Sequence, residues 1–298
     1  MKHLIIILGL FAFSCSSEKK DEEGKIIINT SKSVEKSEKK QLNITVLLDL
    51  SDRVMSTGSP NQSTKDIEII NNLVKIFKED NRSRGAFLSK GKFKILFSPS
   101  PSDPNINTLA SKLNVDFSKM DNKTKKEAFD NIDSNFTLSL REIYDLTINT
   151  QNWSGSDLWR FFKFDAKDYA VDQSAEYRNI LFILTDGYIY HENSKEKLGN
   201  RSSYLTGPLI QSSGLRGNNW KNNFDSGDFG LIAHEADYSN LEVVVLEVNP
   251  NSSSLNDEDV IRAYLSKWFT EMKVSQSLIY NTDIPENTKI RLENYFKN

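Results

Sequence analysis

The sequence predicts an α/β protein whose doubly wound, mostly parallel sheet is flanked by helices. Three observations predict it. Residues 44–50 (ITVLLDL) and 179–187 (NILFILTDG) are short, dense apolar runs, and they deliver the aspartates Asp49 and Asp186. Residues 241–248 (LEVVVLEV) form a third such run. Runs this apolar on both alternating faces belong to strands covered on both sides, as parallel sheets with helical crossovers require. The segments between them carry apolar residues at helical spacing.

Taken in order, the folded part starts near Leu42 with the first strand. Residues 63–80 follow, with Ile67, Ile70, Leu73, Val74 and Phe77 at helical spacing and Ser63 or Thr64 available as cap. Residues 93–97 (FKILF) read as a strand, closed by the Pro and Ser cluster SPSPSDP, which reads as loop. Residues 123–148 are expected to be largely helical, and residues 156–164 to begin another helix entered through Ser-Gly-Ser-Asp. A strand follows at 180–185. Residues 188–239 are rich in Gly, Asn and Ser. A structureless loop that long inside a domain is uncommon, so an insertion with function or short helices is expected there. It directly follows Asp186, hence lies over the same sheet edge, where a lid or a partner-reading surface would sit. After the strand at 241–248 come an amphipathic helix at 257–272 (Val260, Ile261, Tyr264, Leu265, Trp268, Phe269), a strand at 274–280 and a helix at 286–296. Trp153, Trp159 and Trp268 read as core or near-core residues.

The 298 residues are 38% hydrophobic and 27% charged, enough to bury a sizeable core. A net charge of −3, without Lys/Arg blocks interleaved with aromatics, argues against nucleic-acid binding. Residues 1–14 carry Lys2, the apolar run LIIILGLFAF and the small Ser14, which is a signal-peptide pattern. The run is shorter than the roughly 20 residues a membrane-spanning helix needs. Next comes Cys15, the only cysteine, which has no partner for a disulfide or a thiolate metal site. Residues 15–40 are polar and charged and read as a tether reaching about 25–30 Å; residues 26–28 form a candidate edge strand within it. The organisation expected is a leader at 1–14, a tether at 15–40 and one domain at 41–298, with an insertion at about 188–239.

This start resembles a bacterial lipoprotein signal. The resemblance implies that Cys15 is lipidated and becomes the first residue of the mature chain. It implies an outer-membrane lipoprotein, periplasmic or surface-exposed, touching the membrane by its anchor only. The acidic residues soon after Cys15 resemble surface-export signals on some lipoproteins of the Bacteroidota type, and a plain solvated tether accounts for them equally.

The chemistry converges on the strand ends, where open α/β sheets place their ligands. Asp49, Ser51 and Asp52 follow the first strand, Ser156 opens a helix after Gly155, and Asp186 precedes Gly187. In this order the residues resemble a von Willebrand factor A-type domain with its metal-ion-dependent adhesion site. The resemblance implies that Asp49, Ser51, Ser156 and Asp186 hold Mg²⁺, with an open position for a carboxylate of a protein partner. Hydroxyls and carboxylates are the oxygen donors a hard cation takes. Asp49 and Asp186 also suit a plainer role, capping the turns after their strands, and Ser156 with Asp157 suits an N-cap.

Arg53 departs from that pattern, standing where the family has a second serine. A guanidinium has no lone pair for a metal. At about 4 Å from a divalent cation it would cost about 4 kcal/mol per positive unit at an effective dielectric of 20. Two arrangements are open. Arg53 points away and Asp52 supplies an oxygen, or Arg53 pairs with Asp49 and Asp186 and takes the metal's place.

Other functions fit less well. A Mg²⁺-dependent phosphatase with an aspartate nucleophile at a strand end needs an acid two residues on, and Ser51 stands there. No G-x-S-x-G elbow marks a serine hydrolase. His191, His234 and Glu235 lack metal-ligand spacing and read as loop residues. A metal-free scaffold with a decayed site is the remaining alternative to a non-enzymatic binding domain.

Overall fold

In the computed structural model every one of the eight residues of β1 (Gln41–Leu48) is buried, the polar Gln41, Asn43 and Thr45 included, whose side chains bond to Leu88, Asn179 and Tyr169. A 3-10 turn at Asp52–Met55 leads to α1 (Gln62–Leu88). Asn61 caps α1, accepting from the Thr64 N–H at 2.9 Å; Thr64 is therefore the donor, not the cap. The helix runs past Asp80, carried by the Asp80–Arg84 pair, to a break at Gly85. β2 (Lys92–Leu96) follows. The Pro and Ser cluster is not loop throughout: it ends in α2 (Pro104–Ala110), with Asp103 as cap and Pro104 in the first turn, where a missing N–H costs nothing.

β3 (Asn114–Asp116) then adds an antiparallel edge to β2. α3 (Asn122–Thr150) is capped by Asp121, and α4 (Leu158–Arg160) by Asp157. A π-helical turn at Phe161–Asp165 joins α4 to α5 (Ala166–Tyr169). β4 (Tyr177–Leu184) is the second buried strand. Beyond it lie β5 (Lys197–Leu198), β6 (Arg201–Ser202), α6 (Gly207–Ser212), α7 (Trp220–Ser226) and β7 (Gly230–Leu231). β8 (Leu241–Val248), α8 (Asp257–Glu271), β9 (Gln276–Asn281) and α9 (Pro285–Lys297) complete the chain.

The structure describes residues 39–55, 58–151, 153, 155–250 and 254–297. The leader, Cys15 and residues 26–28 lie outside them. The main sheet has the order β3-β2-β1-β4-β8-β9, parallel throughout except for the β2–β3 edge. Helices cover both faces, so the fold is doubly wound α/β. Ile44, Val46, Phe182 and Val244 point into one core with Phe77, Phe93 and Phe136. Leu47, Leu181 and Val243 point into the other with Phe162, Trp268 and Phe269. Trp159 and Trp268 are buried and Trp153 packs partly buried against the first core.

The region at 188–239 does contain short helices, and β5, β6 and β7 form a small sheet of their own. Much of its apolar content is committed to the second core: Leu205, Ile210, Leu215, Phe224, Leu231 and Tyr238 are buried there. It is a built part of the unit Lys40–Asn298. Because that unit carries both cores, it is expected to fold without residues 1–39.

Candidate functional site

The parallel register pairs Leu48 with Leu184, so the first residues beyond the two strands leave the sheet side by side. Backbone bonds extend the register past the strands: Asp49 N to Leu184 O at 3.1 Å, Thr185 N to Leu246 O at 3.2 Å, and Asn249 N to Asp186 O at 3.0 Å. Asp49 is 5% exposed. Its Oδ1 accepts from the Ser51 N–H at 2.8 Å and its Oδ2 from the Thr185 hydroxyl at 2.8 Å. Thr185 Oγ1 in turn accepts from the Gly187 N–H at 3.1 Å. Asp186 is half-buried, and its Oδ1 accepts from the Tyr188 N–H at 3.0 Å. Each aspartate thus braces the turn that follows its strand, the capping role, and does so with its carboxylate fixed at the sheet edge.

Their electrostatics follow from this placement. Burial pushes the Asp49 carboxyl up, against the opposing pull of the Arg53 charge and of hydrogen bonds from Ser51 and Thr185. Burial first, and the neighbouring Asp49 charge second, push Asp186 up to about 7. Two carboxylates set together in a low-dielectric edge disfavour each other's ionisation.

Arg53 follows neither sequence-based arrangement in full. Its guanidinium is buried and forks onto Asp66 of α1, with Nη1–Oδ2 at 2.8 Å and Nη2–Oδ1 at 3.1 Å. Nη1 also donates to the Asp49 carbonyl at 3.1 Å, so Arg53 braces the backbone of Asp49 rather than bonding its carboxylate. Asp66 further accepts from the Tyr144 hydroxyl at 2.5 Å and from Gln62 Nε2 at 2.8 Å. Gln62 reaches Glu247 at 3.2 Å, and Thr282 donates to that same carboxylate at 2.7 Å. Glu247 is buried with φ at 69°, next to the irregularity between Val245 and Val248. Sequence reasoning missed Asp66, Tyr144, Gln62, Thr185 and Glu247. Only Thr185, inside the T-D-G motif, carried a local signal.

Ser51 is half-buried and Asp52 exposed on the 3-10 turn. Gly155 and Ser156 come to the same edge. Gly155 lines a cavity of about 230 Å³ with Leu48 and Leu50, the two chain neighbours of Asp49. Ser156 is buried and exchanges backbone bonds with Tyr190 at 2.9 Å in both directions. Asp157, not Ser156, is the cap of the following helix. Gly155 has φ at 79°, and a Cβ there would fall 2.2 Å from the Tyr190 carbonyl oxygen. Gly155→Ala is therefore expected to cost about 1–3 kcal/mol in urea denaturation, since both the positive φ and the contact oppose a side chain. Gly187 is constrained in the same way, with φ at 99° and the Ile261 Cγ2 methyl 2.7 Å from a would-be Cβ.

His191, His234 and Glu235 lie in loops as read, Glu235 exposed and the two histidines half-buried against partners. His191 Nδ1 lies 3.3 Å from Asp157 Oδ2, and the Ser194 hydroxyl donates to that same oxygen at 2.5 Å. Ser194 Oγ is 3.5 Å from the same ring nitrogen. A nucleophile relay needs serine and carboxylate on opposite imidazole nitrogens, so this trio is not one. His234 packs on Trp159 with ring centroids 4.7 Å apart. Among the described residues no group of three or more His, Cys, Asp or Glu side chains is placed to hold a metal ion. A cation at the strand ends would rest on two carboxylates with hydroxyls. No helix among the described residues is long and apolar enough to cross a membrane. No protein-family model matches the sequence, and no curated protein matches it.

Proposed function

We propose that this chain is a lipid-anchored envelope protein, with Cys15 as the acylated residue. In this reading it binds a protein partner through a Mg²⁺-dependent adhesion site of the von Willebrand factor A type, without catalysis. The observation that carries the reading is the delivery of Asp49 and Asp186 by adjacent parallel strands to one sheet edge, with the Arg53 charge drawn off onto Asp66. The donor set fits the ion, because it consists of oxygens alone. Ser51 and Ser156 would supply hydroxyls, and Asp49 and Asp186 would hold the ion's waters and balance its charge. Bound Mg²⁺ supplies a Lewis-acidic position that accepts a carboxylate from outside. Thr185 and the Ser51 N–H keep Asp49 oriented for that task.

Calorimetric titration of Mg²⁺ and Mn²⁺ into the form lacking residues 1–39 tests this. Saturable binding is expected, weakened about 10–100-fold by Asp186→Ala. A parent that binds neither ion sinks the cation-dependent reading. Recognition would then move to the segment at 188–239 on a metal-free scaffold.

A further inference from the structure

The end of the sheet opposite this site carries a second surface. α1 breaks at Gly85, whose φ and ψ are 77° and 165°. The turn beyond it, residues 86–88, stands clear of both cores. Phe87 is 82% exposed and Leu88 69% exposed, side by side in sequence. This turn is held rather than frayed. The ammonium group of the buried Lys125 donates to the Ala86 and Ser89 carbonyls, both at 2.8 Å. Gln41 Nε2 donates to the Leu88 carbonyl at 2.9 Å, while Gln41 Oε1 accepts from the Lys90 N–H at 3.0 Å. The Ser89 N–H closes on the Gly85 carbonyl at 3.1 Å. The Ala86, Leu88 and Ser89 carbonyls thus have protein donors, while the two large apolar side chains of the turn face solvent.

The bonds that hold the turn also tie it to Gln41, where the 40 residues that begin the chain enter the sheet. Arg84 donates to the Lys40 carbonyl at the same place. The exposed Lys40 and Lys90 belong to the residues bonded into the turn, Lys90 also pairing with Glu176 at 2.7 Å, and Arg84 pairs with Asp80 at 2.8 Å. Aromatic and aliphatic side chains beside lysines suit the boundary between headgroups and acyl chains. We propose that residues 86–88 are a bilayer-contact surface, with Phe87 and Leu88 entering the interface of the membrane to which the chain is tethered. β1 then runs its eight residues away from the membrane, setting the Asp49 edge about 26 Å further out at about 3.3 Å per residue. The proposal rests on the anchored reading for its setting, and the surface can be tested apart from the anchor.

The test is co-sedimentation of the form lacking residues 1–39 with vesicles of phosphatidylcholine and phosphatidylglycerol. Weak binding is expected, reduced at least about fivefold by Phe87→Ser with Leu88→Ser. Both side chains are exposed, so the fold is expected to survive, which circular dichroism checks. Phe87→Trp should bind as the parent does and blue-shift its emission on vesicles. Absence of parent binding, or binding untouched by the double substitution, overturns the proposal. Self-association in light scattering that the double substitution abolishes, without vesicle binding, overturns it in favour of a second copy as occupant. Palmitate labelling of the full chain and of Cys15→Ser reads the anchor separately. Vesicle binding with no labelling supports this surface and removes the anchor.

Discussion

Replacing Asp66 with alanine is expected to destabilise the unit Lys40–Asn298 by about 3–5 kcal/mol, because it leaves a guanidinium buried without its counter-charge. Asp66 is 0% exposed and is held by Arg53, Tyr144 and Gln62 at 2.5–3.1 Å. The Asp66 charge keeps Arg53 ionised despite burial, and burial first, with the Asp66 charge second, drives the Tyr144 phenol well above its ordinary range against the pull of Arg53. The paired substitution Arg53→Met with Asp66→Leu should cost less, about 1–3 kcal/mol, set by the Tyr144 and Gln62 donors that lose an acceptor. Urea denaturation of both singles and the double gives the coupling energy. If Asp66→Ala costs under about 1 kcal/mol, the pair is as screened as a surface bridge, and the account of Arg53 fails.

That pairing changes how the site is to be probed. Arg53→Ser would place a serine where the proposed adhesion-site pattern has one, yet it would also orphan the Asp66 carboxylate in a dry interior. Any gain in cation binding would then be mixed with lost stability. Asp186→Ala is cleaner, since Asp186 is half-buried and the side-chain hydrogen bond it would lose only braces a turn. The Arg53–Asp66 fork also gives α1 a direct hold on the backbone of Asp49. The first turn of α1 and the carboxylate edge are therefore positioned together.

The strands were legible because 44–48, 180–184 and 241–248 are dense in apolar residues, as burial on both faces favours; the polar Asn43, Thr45 and Glu247 that share that burial were not legible. The long helices were legible for the complementary reason, a single apolar stripe. What was lost is short or non-local. β3 has three residues and reads only through its antiparallel contact with β2. α2 hides in a Pro-rich segment because Pro104 punctuates a loop and opens a helix with equal ease. At the site, Asp49 and Asp186 were visible as polar ends of apolar runs. The partner of Arg53 was not, since Asp66 lies thirteen residues on in a helix whose polar positions look solvated. Ser156 and Asp157 were both read as cap candidates. Adjacent residues differ there in which side chain the backbone turns toward Arg160, and the pattern does not record that.

Phe162→Ala should cost about 3–5 kcal/mol and move the whole unit in one transition. The π-helical turn at Phe161–Asp165 presents Phe162 to two parts of the chain at once. Its ring meets Trp268 at 4.9 Å and Phe269 at 5.6 Å from α8, and Tyr238 at 5.6 Å from the segment after β4. Its carbonyl accepts from the Tyr238 hydroxyl at 2.5 Å. Trp159 and Trp268 both donate to the Ile232 carbonyl, fastening the same segment from the other side. Truncation therefore opens a cavity where α8, the π-helical turn and the segment at 188–239 meet. Leu198→Ala, at 68% exposure in the small sheet, should change stability by no more than about 0.5 kcal/mol. Tryptophan fluorescence and far-ultraviolet circular dichroism should report coincident urea transitions in the parent and in Phe162→Ala. A fluorescence transition that separates from the circular dichroism one would mean the segment unfolds on its own. It would then be a mobile attachment beside the carboxylate edge rather than part of the frame that positions it.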